Sequence, residues 1–202
     1  MIQKKNRILI LFIISLLFPV NSLLSQQFTI GVQFTGISIH PRGALHSHLM
    51  PLRLDREGIF VLNPGMRINF EYFFHRNIFS IKFAQGLYGD CTMSFAGFSH
   101  IGFRGRILNR GNHTISGGLG PTFFFRRNWY RFDGYRGNDL FFRGSPDDRW
   151  QRRFIPIGGE FNYHFRISSS SELAVSLVPF YPAIIQLGAR RIINEYREGN
   201  EL

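Results

Sequence analysis

Met66-Arg-Ile-Asn-Phe-Glu-Tyr-Phe-Phe-His-Arg-Asn-Ile-Phe-Ser-Ile-Lys-Phe83 decides the fold, because apolar and polar residues alternate along it twice. Met66, Ile68, Phe70, Tyr72 and Phe74 share one side, with Arg67, Asn69 and Glu71 on the other. After a short polar break, Phe79, Ile81 and Phe83 alternate with Ser80 and Lys82. A period of two is the signature of strands with one apolar and one polar face. A tight turn that sets position 75 against 78 places Glu71 directly across from Lys82 on the polar face, where opposite charges compensate one another.

The same period marks eight segments: 27–39, 62–74, 78–88, 92–108, 112–125, 154–166, 172–179 and 183–193. In the fourth, Met93, Phe95, Ile101, Phe103 and Ile107 oppose Thr92, Ser94, Ala96, His100, Gly102, Arg104 and Arg106. In the sixth, Ile155, Ile157, Phe161, Tyr163 and Phe165 oppose Gly158, Glu160, Asn162 and His164. Two long connections, 40–60 and 126–153, alternate with breaks of a few residues, so both fall at the same end of an up-and-down sheet. An even strand number allows that sheet to close. The expected fold is all-β, an eight-stranded antiparallel up-and-down transmembrane β-barrel.

Alternation alone admits a second architecture, a soluble lipocalin-like carrier with its apolar side inward. The composition favours apolar outside. The chain holds 23 Phe, more than a narrow eight-stranded interior accommodates, while the opposite faces mix small residues with charges of both signs. The segments also exceed the about 9 to 11 residues that a tilted strand needs to cross hydrocarbon. Arg67, Glu71, Lys82, His100, Arg104, Arg106, Glu160 and His164 are then a network filling the lumen.

The chain opens with Lys4, Lys5 and Arg7 before an apolar run from Ile8 to Val20, the pattern of a secretory signal peptide over residues 1–25, cleaved after Ser22 or Ser25. Removing its three cations lowers the net charge from +11 to about +8. Residues 26–193 form one barrel domain and 194–202 a polar C-terminal tail. A single Cys91 excludes an intramolecular disulfide framework in an exported chain.

Over the mature chain this pattern resembles the small eight-stranded outer-membrane barrels of the OmpA and OmpX type. The resemblance is one of architecture. It implies the bacterial outer membrane, insertion by the outer-membrane assembly machinery, a monomer with both termini in the periplasm, and a structural or surface-interaction role rather than an enzymatic one. The chain departs from such barrels at its end. They often close on an aromatic residue, whereas Asn-Glu-Tyr-Arg-Glu-Gly-Asn-Glu-Leu occupies 194–202 here.

The segment 126–153 holds eight Arg, four Asp and seven aromatic residues. Arginine forks bind phosphate in a bidentate way and Trp settles at headgroup depth. Arg126, Arg127, Trp129, Trp150, Arg152 and Arg153 are therefore candidates for contact with lipopolysaccharide or another outer-membrane lipid, against the alternative of a loop tied by its own Arg and Asp pairs. Export and the acidic residues argue against nucleic acid. A lipid A acyl hydrolase or acyltransferase on the same barrel is the enzymatic alternative. The lipid A 3-O-deacylases carry a His-x-Ser pattern that this chain lacks, and Ser99, beside His100 but of opposite parity, is the one weak catalytic candidate. His40, His46 and His48 lack the Cys or clustered carboxylates that would support a metal site, and no cofactor motif is present.

Overall fold

The computed structural model describes residues 27–40, 46–74, 78–135, 137, 141–178 and 183–194. The signal peptide expected over 1–25, the bend at 179–182 and the tail beyond Asn194 lie outside the described residues. The strands are β1 (Gln27–Ile39), β2 (Phe60–Phe74), β3 (Phe79–Gly89), β4 (Phe95–Arg110), β5 (His113–Arg127), β6 (Trp150–Arg166), β7 (Ser171–Val178) and β8 (Ala183–Asn194). Each pairs antiparallel with its sequence neighbours, and β1 pairs with β8, which closes the barrel. Closure leaves no sheet edge along the paired lengths, as a membrane-crossing sheet requires.

Sterics at the connections fix the register. In the β4–β5 turn Gly111 has φ +57°, a conformation that suits glycine, and Arg110 faces His113. Phe74 pairs with Phe79 across the β2–β3 turn, which sets Glu71 opposite Lys82. The described parts of the connections after β1, β3 and β5 gather at one end, the loop end; both terminal strands reach the other, the turn end.

Burial separates the two faces of the wall. Phe34, Ile101, Phe103, Ile107, Leu119 and Phe161 are all exposed, Phe34 to 66%, whereas Arg67, Arg104 and Gln33 are at most 1% exposed. Apolar residues thus point outward and charged residues inward, which overturns the soluble-carrier alternative. An outward apolar face needs an apolar medium. On the outer wall aromatic rings stack along and across strands, Phe28 on Phe70, Phe70 on Phe83, and Phe74, Phe79 and Phe103 together at the turn end.

Two expectations need correction. Thr92 and Ser94 precede β4 rather than belonging to it, because the Asp90 carboxylate accepts from the Thr92 N–H (2.9 Å) and the Ser94 N–H (2.9 Å) and builds a turn there. Ile155 faces the lumen, not lipid. The β5–β6 ladder shifts register between Gly120 and Thr122, where Pro121 and Pro156 interrupt the donors, and the parity of β6 flips beyond the bulge. Phe154 and Ile157 are consequently outward, on either side of that irregularity.

Candidate functional site: charged lumen, loop cap and arginine rim

Three buried carboxylates organise the lumen. Glu160 accepts from Arg67 and from Lys82 Nζ (2.7 Å), and Arg104 Nε stands 3.3 Å away as an ion-pair partner without a hydrogen bond. Glu71 accepts from Arg104 Nη1 (2.5 Å), Arg190 Nη1 (2.9 Å) and Ser80 Oγ (2.6 Å). Glu172 accepts from Arg190 Nε (2.5 Å) and Arg166 Nε (3.4 Å). Glu71 and Lys82 face each other in the ladder, yet Lys82 turns across the lumen to Glu160 and to Asn162 Oδ1 (3.2 Å). The expected direct pair is thus replaced by pairs that bridge strands far apart in sequence.

Neutral groups complete the filling. Arg67 donates to Gln186 Oε1 (2.6 Å), Arg104 to Ser116 Oγ (2.7 Å), and Gln33 to Ser176 Oγ (2.7 Å). His100 Nδ1 lies 2.7 Å from Thr122 Oγ1, and His164 Nδ1 lies 4.0 Å from Glu172. A Cβ added to Gly118 would overlap the Arg104 side chain, and one added to Gly86 would overlap the Phe98 ring, so glycine makes the room that both large residues occupy. Two cavities inside the lumen hold about 10 Å³ each, the space of a single water. Around these cavities the described lumen side chains, Arg67, Arg104, Gln33 and Gln186 among them, are fully enclosed, as expected of eight strands.

Toward the loop end the lining turns apolar. Phe98 and Phe124 face inward with Ala84, and Tyr88, Phe141, Phe142 and Ile155 pack against them. Their parity identifies them as inward, but the sequence reading assigned no role to aromatic residues on a polar face. Above them lies a cap built from three loops and the first residues of β2: Met50, Val61, Cys91 and Trp129 form its core, with Phe132 and Tyr135 against it. Trp129 Nε1 donates to Asp90 Oδ2 (2.6 Å) and joins the β5–β6 loop to the β3–β4 turn. Cys91 Sγ sits 3.4 Å from His40 Nε2 and 3.6 Å from Ser38 Oγ, and burial pushes its thiol pKa up from the ordinary value. At the exposed edge of the cap, backbone N–H groups, that of Ile59 foremost, hold the Asp55 carboxyl below its ordinary range.

The four arginines expected to act together divide into two pairs. Arg126 is buried, its guanidinium 3.7 Å from the Trp129 ring and 4.2 Å from the Phe142 ring, and Nε donates to Gln151 Oε1 (2.8 Å). Arg153 also points inward, over Phe141. Arg126 and Trp129 therefore belong to the cap's interior and are withdrawn from the outer surface. Arg127 and Arg152 point outward. Arg127 stacks 4.5 Å from the Trp150 ring, and the pairings Arg127 with Trp150 and Phe125 with Arg152 make the two arginines diagonal neighbours on one face. Level with them Phe95, Phe125 and Trp150 form an aromatic cluster with centroids 5.9 to 6.2 Å apart.

Ser99 faces outward and donates its hydroxyl to Gln85 Oε1 (2.6 Å), its partner in the adjacent strand. An amide is no general base, and His100 lies on the opposite face of the same strand. The two polar residues on the apolar wall satisfy each other.

No family model matches the chain, and no curated protein matches it. Among solved structures, two of Ail, the attachment invasion locus protein of Yersinia pestis, are similar to it. One, in complex with the heparin analogue sucrose octasulfate, has 11% identity and a TM-score of 0.40, covering 85% of this chain and 100% of Ail. The other has 12% identity and a TM-score of 0.37 over the same shares. At that level of likeness nothing about function passes from Ail to this chain.

Proposed function

We propose that this protein is a monomeric barrel of the bacterial outer membrane, inserted by the assembly machinery of that membrane, with a surface-interaction role in which Arg127 and Arg152 grip phosphates of lipopolysaccharide at the outer rim. The observation that carries this reading is the outward pair of guanidiniums at the Phe95, Phe125 and Trp150 cluster, Arg127 stacked on Trp150 and Arg152 paired with Phe125 in the ladder. Aromatic girdles mark the depth of lipid headgroups, and a guanidinium fork matches phosphate oxygens. From Phe125 down to Ile115 on β5, a tilted strand spans roughly 25 Å, the height of an outer-membrane barrel's apolar band. The loop end, with its larger connections, then faces outward and the turn end the periplasm.

The test is binding of lipopolysaccharide to the folded barrel in detergent, for the wild type and for Arg127→Gln with Arg152→Gln, with dephosphorylated lipopolysaccharide as the reference ligand. Two charge-assisted hydrogen bonds correspond to about a tenfold or greater loss of affinity in the double variant. Equal affinity of both proteins, or equal affinity for the dephosphorylated lipid, overturns the reading. An unchanged heat-dependent gel mobility certifies that the variant barrel is folded.

A further inference from the structure

Arg143 extends the outward arginine pair into a row of three. After the loop the chain returns beside β6, where the Arg143 N–H donates to the Arg152 carbonyl (2.9 Å) and the Arg152 N–H donates to the Arg143 carbonyl (2.8 Å). Residues that exchange both bonds stand directly opposite, about 5.5 Å apart at Cα, with their side chains on the same face. Arg152 is outward and exposed, so Arg143 is outward too. The next residue confirms the parity: a Cβ added to Gly144 would come within 3.1 Å of the buried Gln151 side chain, on the inner face. Across three neighbouring segments the outer wall therefore reads Phe125, Arg152 and Arg143, with Arg127 diagonal to Arg152.

Like charges set directly opposite on a sheet repel. In the lumen the cations are compensated, since Arg67, Arg104 and Arg190 each meet a glutamate. In the outer row, among the described residues, no carboxylate pairs with Arg127, Arg143 or Arg152; Arg127 is held by its stack on Trp150. Three adjacent forks without counter-charge fit an anion of more than one charge. We propose that Arg127, Arg143 and Arg152 form one site for a lipid phosphomonoester, and that Arg143 selects it over a phosphodiester. The inference rests on the phosphate grip of Arg127 and Arg152 and narrows its ligand. A diester phosphate carries a single charge and two free oxygens, which leaves the third fork unmatched. A monoester presents three free oxygens and roughly −1.5 to −2 charges near neutral pH, so the third guanidinium gains both an acceptor and a charge. The aromatic cluster level with the row marks headgroup depth, which makes the phosphate that of a lipid.

The test compares binding of phosphatidic acid, phosphatidylglycerol and diacylglycerol, with identical acyl chains, to the folded barrel in detergent. The monoester is expected to bind about tenfold more tightly than the diester at about pH 8 and to lose that advantage toward about pH 5, because its second proton leaves near pH 6. The ratio of the two affinities cancels any titration of the barrel itself. Arg143→Gln is expected to bring the ratio to unity across that range. Arg149→Gln removes a charge from an exposed position in the same connection, outside the row, and is expected to keep the ratio. An unchanged heat-dependent gel mobility certifies each variant. A ratio of unity in the wild type, one that survives Arg143→Gln, or one that falls equally with Arg149→Gln overturns the proposal and leaves a phosphate site of two arginines. Inorganic phosphate that competes at concentrations equal to those of phosphatidic acid overturns it by assigning the site to the free anion. Equal binding of phosphatidic acid and diacylglycerol overturns the phosphate grip itself, and the selection by Arg143 with it.

Discussion

Glu71 shows how far a strand pattern specifies a residue and where it stops. Its alternation with Phe70 and Tyr72 puts it in the lumen, and the β2–β3 turn sets it across from Lys82. Its oxygens nevertheless go to Arg104, Arg190 and Ser80. In a narrow closed barrel, side chains meet across the lumen as readily as along a ladder, and long cations choose the carboxylate that leaves the fewest charges unpaired. Replacing Glu71 by Ala takes one of two facing carboxylates from each of two buried guanidiniums, leaving Arg104 to Glu160 and Arg190 to Glu172, and is expected to cost about 3 kcal/mol. Adding Lys82→Ala should restore little, because Glu160 then loses a partner, while adding Arg190→Ala should recover part of the loss. Double-mutant cycles by denaturant unfolding measure both couplings, and a larger coupling to Lys82 than to Arg190 would contradict the network.

At the scale of elements, the strands were legible because every one but the bulged stretches keeps period two. Strand β6 illustrates the exception: Pro121 and Pro156, in strands that pair, were the available sign that the ladder breaks there, and counting parity through them misplaced Ile155. The cap was not legible. Its described parts come from three separate loops and the adjoining strand ends, and nothing in their sequence tells that Trp129 would reach Asp90 or that Arg126 would be enclosed between two rings. Loops without a period carry no register, so their contacts follow from the barrel that brings their ends together. Cys91 reports on this element. Buried at 6% exposure and kept protonated by its surroundings, it is expected to resist maleimide in the folded wild type, and Asp90→Ala, which removes the Trp129 contact, should speed labelling by an order of magnitude or so. Mass spectrometry after timed labelling reads this, and equal rates would mean that the Asp90 bond does not hold the cap shut.

For the whole molecule, the decisive property is which side of the wall meets the apolar phase. Chain composition already leaned one way, since so much Phe cannot fit inside eight strands, and burial of Arg67, Glu71, Arg104 and Glu160 puts the charges within. The consequence is a cost that varies with depth along a single strand. On β4, Phe95 stands at the loop-end aromatic cluster, Ile101 near mid-height and Ile107 toward the turn end, all three outward and exposed. In the proposed membrane setting an arginine at Ile101 would meet hydrocarbon, whereas one at Phe95 or Ile107 would lie near headgroups and water. Unfolding of the barrel from lipid vesicles should therefore show Ile101→Arg destabilised by about 2 to 4 kcal/mol, and Phe95→Arg and Ile107→Arg by about 1 kcal/mol or less. The same exposed positions on a protein surrounded by water would tolerate arginine equally, so a flat profile along β4 would refute the membrane assignment without disturbing the fold. A peak at Ile101 locates the bilayer midplane, and with it the depth at which Arg127 and Arg152 stand.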